Sequence, residues 1–154
     1  MKRRKVWFFA SLIVAFSTII LLASGSSALT ISLNPFNSVP LGNIITWAGM
    51  ISLPLSIYLG VQNLRRPSGN VNTSLAGLLK IILAMAILWF PLSYLLAGNL
   101  SFSFSEKETF QGSQKAMKWF WGFSYGIGIG AISTVIMYWI SLLFKKNITD
   151  SDNE

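Results

Sequence analysis

Few side chains in this sequence are equipped for chemistry, and their placement is the first clue. Lys80 is the one charged residue inside a long apolar stretch, Leu75 to Ala97. A cation in hydrocarbon is costly, so an intramembrane lysine marks a functional site by default: an anion site, a counter-ion for a partner, or the base of a Ser–Lys hydrolase. The hydrolase needs a serine within reach, and no spacing around Lys80 recommends one. Lys80 lies five residues past Leu75, about 8 Å along a helix. A lysine stem spans most of that distance, which favours an ammonium that snorkels back to the headgroups.

Other reactive groups are missing. The chain has no His and no Cys, and its five acidic residues (Glu106, Glu108, Asp150, Asp152 and Glu154) all lie outside the apolar stretches. No thiol, imidazole dyad or intramembrane carboxylate is available for nucleophilic, metal-assisted or proton-coupled work. The expectation is a protein that is not an enzyme and needs no cofactor or metal.

A different pattern concerns packing. Gly122, Gly126 and Gly130 recur at intervals of four, and Thr134 continues the row. Residues four apart share a helix face, and a GxxxG row lets another backbone approach closely. Each glycine costs a helix about 1 kcal/mol relative to Ala, so three on one face call for a packing reason. Gly128 falls on another face. Ala48, Ser52, Ser56 and Gly60 form a second small-residue row. The two rows are expected to meet in a close parallel crossing within one chain, with a separate subunit as the alternative. Pro54 and Pro91 each interrupt an apolar segment and free a carbonyl one turn earlier. Ser56 or a hydroxyl of a neighbouring helix is a candidate donor to the carbonyl freed by Pro54, and freed carbonyls can also bind ions in transporters.

The elements that must carry these residues follow from composition. Of 154 residues, 53% are hydrophobic and only 11% charged, and none from Val6 to Leu64 carries a charge. A water-soluble surface cannot be made this way. Four segments, about 6–28, 41–61, 75–97 and 119–144, are long enough to cross the roughly 30 Å hydrocarbon core as helices. They are apolar on all faces, unlike the alternating strands of a barrel. The expected fold is an all-α integral membrane protein, four transmembrane helices in a small bundle over residues 1–146, followed by a polar cytoplasmic tail, 147–154. Asn34-Pro35 and Val39-Pro40 break the first connection, and Arg65-Arg66-Pro67-Ser68-Gly69-Asn70 marks a turn in the second. The Ser-Phe alternation over 101–105 predicts a short extended piece at the interface.

The net charge of +7 points to lipid rather than nucleic acid. Lys2, Arg3, Arg4, Lys5, Arg65, Arg66, Lys145 and Lys146 flank the spans on one side, where each attracts anionic headgroups by about 1 kcal/mol. Snorkelling Lys80 joins this headgroup set. Lys107, Lys115 and Lys118 flank the other side. Eight against three predicts both termini in the cytoplasm, an N-in/C-in protein of the cell membrane. The basic start, apolar run and Ser26-Ser27-Ala28 also fit a cleaved signal peptide, but an 18-residue apolar core favours an uncleaved span.

These features predict a non-catalytic multi-pass protein that serves as an accessory, assembly or immunity-type subunit through helix contacts with another membrane protein. A small oligomeric channel or transporter, itself its own partner, is the alternative.

Overall fold

A computed structural model of the chain describes residues 2–32, 39–100, 102–104 and 109–151, with side chains placed for 3–32, 39–100, 102–104 and 109–144. It is helical, in the order α1 (Lys2–Ala23), a 3₁₀ turn (Ser27–Thr30), α2 (Leu41–Gly60), the single turn α3 (Gln62–Arg65), α4 (Asn70–Ala97) and α5 (Gln114–Ser151). The four long helices α1, α2, α4 and α5 are each long and apolar enough to cross a membrane.

Local chemistry sets the helix ends. α1 stops at Ala23, short of the expected position 28, because Gly25 turns the chain through a left-handed φ of +58°. Ser26 then caps the 3₁₀ turn, accepting from the Ala28 N–H at 3.3 Å. Pro40 stands at the N-cap of α2, while Asn34 and Pro35 lie outside the described residues. α4 begins at Asn70, five residues before Leu75, and ends where Gly98 adopts φ +75° and donates its N–H to Tyr94 O. α5 begins at Gln114 because the Ser113 hydroxyl accepts from the Ala116 N–H. It continues beyond Phe144 to Ser151, so residues 147–151 of the expected tail are helical, and 152–154 lie outside the described residues.

The main core lies between α2, α4 and α5. Ile82, Ala86 and Trp89 of α4 meet Phe120, Ile127 and Ala131 of α5, with Trp47, Met50, Leu53 and Ile57 of α2 packed against them. A relay of hydrogen bonds fastens α4 to α5: Trp89 Nε1 donates to Ser124 Oγ at 2.8 Å, and Ser124 Oγ donates to Phe120 O at 2.8 Å. At one end Phe102 packs edge-on against Phe110 and Phe120, with ring centroids 5.1 and 5.0 Å away. Of the piece expected to be extended over 101–105, Phe102–Phe104 form a turn, where Asn99 Oδ1 accepts from the Phe102 N–H, while 101 and 105 lie outside the described residues. At the other end Asn63 Nδ2 donates to the Tyr138 hydroxyl at 3.1 Å, tying the α2–α4 connection to α5.

No residue of α1 belongs to that core. α1 lies antiparallel on α2 and makes its broad contact there. Its buried row is Ser11, Ala15 and Thr18, small residues at i, i+4 and i+7. The facing surface of α2 carries two glycines. A Cβ on Gly49 would lie 2.7 Å from Thr18 Cβ, and one on Gly60 would lie 2.7 Å from Phe8 Cε2. Thr18 Oγ1 also donates to Ile45 O at 3.2 Å, an interhelical bond that close approach permits.

Candidate functional site

α2 makes its broad contacts with α1 and α4 and only a narrow one with α5, so a broad crossing of the α2 and α5 rows is not what holds these helices together. The glycines of α2 are instead approached closely from α1, at Gly49 and Gly60. Ser52 and Ser56 are buried, Ala48 is half-buried, and Gly60 faces Phe8.

The α5 row splits in two. Thr134 is fully buried and donates to Gly130 O, and a Cβ on Gly130 would lie 3.0 Å from Ile82 Cδ1. This half packs against α4. Gly122 and Gly126 are exposed, with nothing within 4 Å of a Cβ at either position. They make a notch about one turn long in the outward surface of α5. Its flank holds Trp121 and Tyr125, whose rings stack with centroids 5.6 Å apart. Such rings are rigid and amphipathic, suited to a protein contact and to the membrane–water interface alike.

The proline break in α4 is answered within the chain. Pro91 lacks the N–H that would bond to Ile87 O. Trp47 Nε1 of α2 stands 3.1 Å from both Ala86 O and Ile87 O and donates there. The freed carbonyl of α4 thus meets an indole. Around Pro54 the expectation fails in detail: Ser56 Oγ donates to Leu53 O at 2.8 Å, rather than to the Met50 carbonyl that Pro54 frees. The sequence signals Pro91 clearly; Trp47 was missed because the donor comes from another helix.

The cations fall into place around this frame. Lys80 is exposed on the outward side of α4, away from the core. Arg3, Arg4, Lys5 and Arg66 are exposed, and Arg65 is half-buried. The side chains of Lys2, Lys145 and Lys146 lie outside those described. Among the described residues most buried hydroxyls are engaged with backbone carbonyls; Thr46 Oγ1 of α2 is buried without a partner. Sequence reasoning also missed Gly49, whose spacing of eleven from Gly60 places both on one face after three turns. Neither the family comparison, nor the curated proteins, nor the solved structures give any match to this chain.

Proposed function

We propose that the protein is a non-catalytic accessory subunit of another membrane protein, which it engages through the Gly122–Gly126 notch of α5. The observation that carries this reading is the split of the glycine row. Gly130 and Thr134 are used inside the bundle, whereas Gly122 and Gly126 impose a helix cost of about 1 kcal/mol each, and among the described residues nothing stands where their side chains would be. In a bilayer, helix association relies on close van der Waals contact, and a glycine notch beside stacked aromatics supplies a surface for it. The outward position of Lys80 supports snorkelling to the headgroups, and the Arg3–Lys5 and Arg65–Arg66 clusters support contact with anionic lipid.

The same reading has N-in/C-in orientation in the cell membrane, supported by the charge asymmetry, and α1 as a resident span, supported by its seam with α2. A reporter active only in the cytoplasm should work when fused after Glu154; activity only on export would reverse the topology. Sizing in mild detergent with mass analysis tests the function. A complex with a different membrane protein is the expected result, and a homo-oligomer as the sole species would favour a self-assembled channel instead.

A further inference from the structure

The long helices carry interfacial marks at two levels, and contacts between the helices put those marks in register. Trp121 and Trp139 are exposed on α5, eighteen residues apart, which is five turns, one face and about 27 Å. Tryptophan favours the membrane–water interface, where its ring meets apolar chains and its N–H meets headgroups. Beside Trp139, Tyr138 packs against Leu64, Leu75 and Leu79 and its hydroxyl accepts from Asn63, so this level passes the end of α2 and the start of the apolar part of α4. Gly60, the last residue of α2, faces Phe8 of α1, and the preceding Trp7 is exposed.

The opposite level is tied together as well. Phe120, beside Trp121, packs on Phe102, and two residues before that ring Leu100 O accepts from the Asn43 amide of α2. Gly42 lies against Leu29 O, just past the end of α1. The separations of the two levels agree. Asn43 to Gly60 is about 26 Å of α2, the uncharged Val6 to Ala23 is about 27 Å of α1, and Leu75 to the exposed Tyr94 is about 28 Å of α4. The apolar run of α5 continues past Trp139 to Phe144, but at the depth of a polar turn: Leu142 and Phe144 share a cleft with Ser68, Asn70 and Asn72. Any tilt shortens these lengths along the membrane normal, so about 27 Å is an upper value.

We propose that the outer surface of the bundle fits a bilayer whose hydrocarbon core is at most about 27 Å thick, thinner than the roughly 30 Å of a typical membrane, so that it selects lipids of shorter acyl chain. The inference rests on the reading that the four helices cross a membrane. A thicker bilayer has to thin against the protein or drive its copies together, each at a cost that grows with the mismatch.

The full chain in phosphatidylcholine vesicles tests this twice. Its native tryptophans are quenched by a brominated phosphatidylcholine, and competition with unbrominated lipids of 14 to 22 acyl carbons gives relative affinities without any variant. Affinity should be highest where the measured core is about 27 Å or less and at least about twofold lower where it exceeds about 33 Å. A maximum at about 30 Å or more, or no dependence on chain length, overturns the proposal. The second measurement uses the absence of Cys: a spin label on a single introduced cysteine reports depth without background. On the exposed surface of α5, labels at Ile129→Cys and Ile132→Cys should be deepest, and those at Met117→Cys and Leu143→Cys should lie in the headgroup layer. A Leu143→Cys label deep in hydrocarbon overturns the thickness while the crossing stands. Water contact at all four positions overturns the crossing itself.

Discussion

The glycines of the α1–α2 seam and those of α5 look alike in sequence and behave oppositely in the fold. Gly49 and Gly60 are filled from the neighbouring helix: Thr18 and Phe8 occupy the space where their side chains would stand. Gly122 and Gly126 face outward with that space empty. The first pair stabilises the chain itself, by letting α1 approach α2 closely enough for Thr18 Oγ1 to reach Ile45 O. The second pair is approached by no neighbour among the described residues. A small-residue row therefore marks where a backbone can be approached, and the neighbouring helices decide whether the approach is made from within.

The largest expected effect breaks the occupied side. Gly49→Leu should destabilise the chain in detergent by more than the usual 1–3 kcal/mol of an overpacked site, because the whole Thr18 side chain, its Cβ included, crowds the position and turning χ1 does not clear it. Gly49→Ala should give the lower part of that range. Thr18→Gly in the same chain should recover part of the loss, and a double-mutant cycle on thermal stability measures how much. Purely additive losses would remove Thr18 as the residue that makes Gly49 necessary.

Next comes the empty side. Gly126→Leu should leave the melting temperature of the purified chain nearly unchanged and abolish co-purification of the partner. A fall comparable with that of Gly49→Leu would mean that Gly126 is packed within the chain after all. The smallest effect sets the floor for both. Lys80→Arg keeps a snorkelling cation on the outward face of α4 and should alter neither stability nor partner recovery beyond about 0.5 kcal/mol. Loss of function in Lys80→Leu at normal expression would instead assign the lysine a role in transport.

The spans were legible because hydrophobic length needs no tertiary knowledge: the four long helices lie on the four apolar segments. Their ends were less so, since Ser113 and Gly98 act through local bonds that a hydropathy pattern does not register. The α5 row was visible, but not its division at Gly130. In water, periodicity identifies the buried face; in lipid both faces are apolar, and the pattern no longer distinguishes inside from outside. For the same reason Ser11, Ala15 and Thr18 passed unnoticed, although their spacing is that of a single helix face. Pro91 announced a freed carbonyl at Ile87, but no local signal could name Trp47, forty residues away, as its donor.

That last contact has a consequence for how the bundle comes together. α1 with α2, and α4 with α5, are antiparallel hairpins, each with its own interhelical hydrogen bond: Thr18 to Ile45 in the first, Trp89 to Ser124 in the second. Hairpins of neighbouring helices form from contacts near in sequence, so each is able to assemble as a unit while the chain is being made. Joining them requires the second hairpin to offer something the first can recognise. The backbone break at Pro91 provides it: an unpaired carbonyl in an otherwise closed helix surface, met by the Trp47 indole of the arriving partner. The proline that weakens α4 as a helix is, for the two hairpins, the docking mark that sets their register.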